Sequence, residues 1–139
     1  MTNINVIETK ISSIQKYLKI LAGYQKYSQK EIETDLNLKG AVERYLYLLT
    51  QAAIDLAETI IALKNFRRPT TYSEAFHILH EEDFLTTDLT EKLVRMAGFR
   101  NIIAHDYEDV DFGILYDVLQ YRLGDVEQFL KDSQNKLKL

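Results

Sequence analysis

Six aliphatic side chains open this chain at helical intervals. Ile4, Ile7, Ile11, Ile14, Leu18 and Leu21 alternate spacings of three and four, which lines them up on one face of an α-helix. The same rhythm returns in Val42, Tyr45, Leu46, Leu49, Ala53, Leu56, Ile60 and Leu63. Only 5 glycines and 1 proline serve 139 residues, too little turn chemistry for many short strands. No stretch alternates with period two for long enough to predict a strand. The expected fold is all-α: one domain over residues 1–139, an up-and-down bundle of about five helices.

Boundary signals divide the chain. Gly23 and the polar run from Gln25 to Lys30 weaken the first helix, and Ser28 with Glu31 offers a capping box for a new start. The second long helix is expected to end near Asn65, because Pro69 drives Arg68 out of helical geometry. A shorter helix is predicted from Ser73 to about Glu81, with Phe76 and Leu79 inward. Thr87 or Asp88 suits the N-cap of a fourth, containing Leu89, Leu93, Met96 and Ile103. Asp109 or Asp111 suits the cap of a fifth, burying Leu115, Val118, Leu119, Val126 and Phe129.

Composition narrows the function classes. Seventeen basic against 21 acidic side chains leave a net charge of −4. Nonspecific nucleic-acid affinity comes mainly from Lys and Arg neutralising phosphates, so a generic binder is disfavoured. A locally basic site built from Arg67, Arg68, Arg95 and Arg100 is still compatible with that balance. With 0 cysteines there is neither a disulfide framework nor a thiolate zinc site. Met1–Lys10 is polar and mixed, without the apolar run of a signal peptide. No segment approaches the roughly 20 consecutive apolar residues of a membrane span. A cytosolic (cytoplasmic) protein with no membrane partner is expected.

The chemistry concentrates in Arg100-Asn101-Ile102-Ile103-Ala104-His105-Asp106-Tyr107. Arginine presents a planar fork of donors suited to phosphate oxygens, and histidine exchanges protons near neutrality. Five residues separate Arg100 from His105, a rotation of roughly 140° on a regular helix, so the two side chains splay apart. A shared site then needs either a helix that ends near Ala104 and turns His105 back, or a second copy of the helix across a twofold axis. Gly98, Asn101 and His105 share one stripe. Glycine inside a helix costs about 1 kcal/mol against alanine, which close approach of another backbone explains. In this reading His105 is general acid or base and Arg100 holds the scissile phosphate. Asn101 orients His105 or the substrate. The competing reading makes Arg100 and His105 a structural helix-end pair.

Other groups have plainer explanations. Asp106, Glu108, Asp109 and Asp111 suggest a magnesium site but serve equally to cap the last helix and solvate a loop. His77 and His80, three apart, lack a third ligand for a metal. Tyr17, Tyr24, Tyr45 and Tyr47 sit on apolar helices and are expected to pack rather than stack on bases. Arg67 and Arg68 are either a contact for RNA or an acidic protein, or simply an exposed turn.

The motif with its approach, Gly98-Phe99-Arg100-Asn101-x3-His105-x-Tyr107, resembles the signature of the HEPN superfamily, and within it the HepT-type toxin ribonucleases paired with minimal nucleotidyltransferase antitoxins. Leu38-Lys39-Gly40-Ala41-Val42-Glu43-Arg44-Tyr45 and the stretch from Arg67 to Phe76 resemble further segments of that family, in the expected order. The resemblance implies a homodimeric endoribonuclease that cuts RNA rather than DNA, needs neither metal nor cofactor, and uses Arg100, Asn101 and His105. It also implies a nucleotidyltransferase antitoxin that silences the toxin by attaching AMP to Tyr107. The alternative is a noncatalytic helical module that binds a nucleotidyltransferase or nucleotide. Alanine at Arg100 or His105 is expected to leave the fold intact.

Overall fold

The computed structural model describes residues 4–105 and 111–139, with His105 described by its helical backbone alone. The first stripe becomes α1, Ile4–Ala22, which buries Ile7, Ile11, Ile14, Leu18 and Leu21. The capping box forms as the sequence suggests: Ser28 Oγ accepts from Glu31 N, and Glu31 accepts from Ser28 N. It opens only a short helix, α2, Gln29–Thr34. Asp35 breaks the path and caps a fresh start, its carboxylate accepting from Asn37 N and Leu38 N. The long helix α3, Leu36–Leu63, follows.

Helix α3 is the spine of the bundle, with α1, α2, α4 and α5 all packing on it. It is long and apolar enough, by length and composition, to cross a membrane, but its apolar faces are the ones its neighbours cover. Val42, Leu46, Leu49, Ala53, Leu56 and Ile60 are fully buried. The end near Asn65 arises from a left-handed residue rather than from Pro69. Asn65 takes φ 57°, and Asn65 N and Phe66 N turn back to Ala62 O and Ile61 O, a Schellman stop that asparagine tolerates. Asp83 ends α4, Tyr72–Glu81, in the same way, with φ 58° and Phe84 N on Leu79 O.

Helix α5, Thr87–His105, begins one residue before the sequence suggests. Thr86 Oγ1 accepts from Leu89 N, taking the capping role expected of Thr87 or Asp88. Asp111 does cap the next element, accepting from Gly113 N at 2.8 Å. The last helix is not one regular rod. It runs as α6, Phe112–Asp117, a π-helical turn, Val118–Arg122, and α7, Leu123–Leu137. The widened turn lets Leu119 O accept from the side chain of Gln25, while Gln120 donates to Gln25 O. Tyr116 donates to Tyr27 O nearby. These bonds tie the segment after α1 to the last helix. Phe76 and Phe129, both fully buried, meet edge to face at 5.7 Å. Among the described residues no buried side-chain polar atom lacks a partner.

Candidate active site

Arg100 projects from the inner side of α5 toward α3 and lies half-buried. Its guanidinium sits 5.3 Å from the ring centre of Tyr47 and 4.9 Å from that of Tyr72. Each nitrogen of the fork makes a bond within the chain. Nε donates to Gln51 Oε1 at 2.7 Å, Nη1 to Asn101 Oδ1 at 3.2 Å, and Nη2 to the Tyr47 hydroxyl at 3.3 Å. A guanidinium has five N–H donors, so two are left over. Two aromatic rings and three acceptors fix the plane of the fork, which is the preorganisation that phosphate recognition calls for.

The acceptors belong to a polar stripe on the otherwise apolar α3. Tyr47, Gln51, Asp55 and Glu58 follow spacings of four, four and three, so they share a face. Gln51 in turn donates to Asp55 Oδ1 at 2.9 Å, which fixes its amide with the oxygen toward Arg100. Sequence reasoning assigned Tyr47 to packing and passed over Gln51, Tyr72 and Glu58. A run of polar residues at helical spacing inside a core helix was the available signal.

Asn101, exposed at the next position, turns its amide oxygen to Arg100, and its N–H donors meet no acceptor among the described residues. There it borders a cavity of about 420 Å³ with Glu58, Pro69, Thr70, Thr71 and Tyr72. Burial first, and Asp55 second, push the Glu58 carboxyl above its ordinary range; Lys10 partly offsets them.

Helix α5 ends at His105, one residue past Ala104. The His105 side chain and Tyr107 lie outside the described residues, as do Asp106, Glu108 and Asp109. Arg100 and Asn101 are brought together; the position of the imidazole relative to them is not part of the description.

The four arginines do not form one basic patch. Arg67 is committed to its own chain: its fork meets both oxygens of Glu81 at 2.7 and 3.1 Å and Glu74 at 3.2 Å. That fork also holds the Glu81 carboxyl below its usual range. Arg95 lines a different groove, between α5 and α6. Arg68 is exposed at the end of α3 and borders a second cavity that Glu58 also lines. His80 Nε2 lies 3.1 Å from Thr87 Oγ1, and His77 is exposed.

The α5–α6 groove encloses about 480 Å³ and is floored by Met96, Phe99 and Val118. Ile102 and Ile114 lie along it, 42% and 46% exposed. Lys92 and Arg95 on α5 and Asp117, Arg122 and Asp125 on the last helix also line it. Gly98 opens onto the same groove, and a Cβ built there meets no atom within 4 Å. Among the described residues nothing therefore requires glycine at this position.

Comparison with known proteins agrees with the family resemblance. The family model described as "Ribonuclease HepT-like" matches residues 8–133. The mRNA nuclease HepT of Shewanella oneidensis is 30% identical over 127 residues, covering 91% of this chain and 94% of the relative. The tRNA nuclease HepT of Aphanizomenon flos-aquae is 29% identical over 139 residues, covering 99% and 95%. Among solved structures, the tri-AMPylated Shewanella oneidensis HEPN toxin in complex with MNT antitoxin superposes with a TM-score of 0.85 at 28% identity, covering 94% of this chain and 97% of that one. A cytosolic protein of unknown function from Bacillus subtilis, YutE, shares the fold at TM-score 0.86 and 19% identity, covering 99% of this chain and 92% of that one. With its helical fold and nearly its whole length matched, the chain belongs to the family of HepT-like ribonucleases.

Proposed function

We propose that this protein is the toxin of a toxin–antitoxin pair: a homodimeric, metal-independent endoribonuclease, silenced when a nucleotidyltransferase transfers AMP to Tyr107. The observation that carries the reading is the preorganised Arg100 fork, with two N–H donors left over, beside an open cavity and on the helix that leads to His105. In the mechanism, Arg100 grips the scissile phosphate and stabilises the charge that accumulates on it. One His105 removes the proton from the ribose 2′-hydroxyl, whose oxygen attacks the phosphorus. The bond to the 5′-oxygen breaks, and a second His105 returns a proton to that leaving group. Asn101 positions the fork or the substrate. The products are a 2′,3′-cyclic phosphate and a 5′-hydroxyl.

The test is direct. Purified, unmodified protein incubated with RNA in excess chelator is expected to cut it and to leave 2′,3′-cyclic phosphate ends, detected by mass spectrometry. Strict dependence on magnesium would transfer the chemistry to the carboxylates between Asp106 and Asp111.

Two histidines require two chains, and the α5–α6 groove is the surface suited to a second copy. Charged side chains of both signs line it beside an apolar floor, a self-complementary arrangement of the kind twofold contacts use. It shares a face of α5 with His105, since Gly98, Ile102 and His105 follow a four-then-three spacing. Gly98→Leu is expected to preserve helicity, because the space is open within one chain. It should nevertheless turn the dimer into a monomer in sedimentation and remove cleavage. A variant that sediments as a dimer would place the contact on another face.

One observation favours the noncatalytic module. Three of the Arg100 donors already serve α3 and Asn101, as they would in a purely structural tether between helices. The chelator experiment separates the two readings, because a tether cuts nothing.

A further inference from the structure

The cavity beside Asn101 is not needed to hold a phosphate. The one carboxyl among its described lining residues, Glu58, does not suit one. Glu58 is half-buried and makes no hydrogen bond or ion pair with the described residues, although every fully buried polar atom among them is satisfied. A partly buried carboxylate that accepts no hydrogen bond from these residues has its acceptors open to water or a ligand. The remaining lining is that of a site for a flat heterocycle: the ring of Tyr72, the apolar face of Pro69 and the amide N–H groups of Asn101. Tyr72 also stacks against Arg100, so whatever fills the cavity lies next to the proposed phosphate grip.

We propose that Glu58, Tyr72 and Asn101 form a base-recognition subsite that selects an unpaired guanine next to the cleaved phosphate. Single-stranded RNA is read in this manner, by an aromatic side chain under a splayed base and hydrogen bonds to its Watson–Crick edge. Guanine suits this set because its N1–H and N2 amino group are adjacent donors that one carboxylate accepts together. Its O6 lies beside them, as an acceptor for the Asn101 amide. Cytosine offers one donor beside a ring acceptor. Adenine and uracil each set an acceptor against the carboxylate. The proposal rests on RNA being the substrate, but it makes a separate statement about Glu58.

The experiment measures preference by two routes. Single-stranded RNA hexamers that differ only in carrying guanine, adenine, cytosine or uracil at one position are titrated into the protein in chelator. In parallel, the cut sites in a random-sequence RNA are mapped. Wild type is expected to prefer guanine at one position flanking the cut by about tenfold or more. In Glu58→Gln, which exchanges one acceptor for a donor at constant shape, that ratio is expected to fall close to one. Ratios taken within one preparation cancel any difference in folded fraction. Preference in binding with no cleavage at all would leave the subsite standing and remove the ribonuclease reading. Cleavage without guanine preference, or a preference that survives Glu58→Gln, would overturn the subsite.

Discussion

His105→Ala is expected to reduce RNA cleavage by about 10²–10⁴-fold while the protein keeps its helicity and melting temperature. The size follows from what a positioned acid or base contributes to proton transfer. The intact fold is expected from position, since His105 is the last residue of α5 and the buried residues described on that helix, Leu89, Thr90, Leu93, Met96, Ala97, Phe99 and Ile103, all precede it. Initial rates in chelator, with circular dichroism on the same sample, decide it. A variant that unfolds, or one that cuts at the wild-type rate, returns His105 to a structural role.

Arg100 needs a different control, because the expectation that its alanine variant folds unchanged does not fit the structure. Two hydrogen bonds and two aromatic contacts join α5 to α3 and α4 through this one side chain. Removing them costs on the order of 1–3 kcal/mol, so lost activity in Arg100→Ala mixes two effects. Arg100→Lys separates them better. It keeps the charge over the rings but presents a point donor instead of a fork. Its activity should fall far more than its stability.

The helices were legible because their apolar stripes are local. α1 and α3 follow three-and-four spacings, and burial reproduces them except at Ile4, exposed at the end of α1, and at Tyr45 and Leu63, which are partly buried. The errors fall where backbone geometry depends on partners distant in sequence. The π turn at Val118–Arg122 has no mark in its own residues, and its polar bonds go to Gln25, nearly a hundred positions away. Asp35 interrupts what reads as one helix because a side chain that caps well also competes with the turn before it. The site divides along the same line. Arg100, Asn101 and His105 stand together in sequence as a motif, whereas Gln51, Glu58 and Tyr72 join Arg100 and Asn101 only through packing of α3, α4 and α5. The dispersal of the four arginines belongs to that second class, and no count of charges reveals it.

Tyr107→Phe is expected to keep the ribonuclease active and to abolish its silencing. Tyr107 stands two residues past His105, and a phenol that titrates near about 10 is a poor proton shuttle beside an imidazole. Phenylalanine preserves the ring and removes only the oxygen proposed to accept AMP. In the proposed silencing step the tyrosine oxygen attacks the α-phosphorus of ATP, pyrophosphate leaves, and the phenolic proton passes to solvent or a base. The product carries a phosphodiester close to His105, whose negative charge and bulk repel and block an RNA phosphate. Intact-mass measurement after coexpression with the nucleotidyltransferase should find AMP-sized additions on the wild type and none on Tyr107→Phe. Cells carrying the variant should stay growth-arrested when the antitoxin is present. Loss of cleavage in Tyr107→Phe would make the hydroxyl part of the chemistry. Adducts that persist in the variant would move the acceptor to another residue. The combination of full activity, no adduct and no silencing is the outcome that only an acceptor role produces.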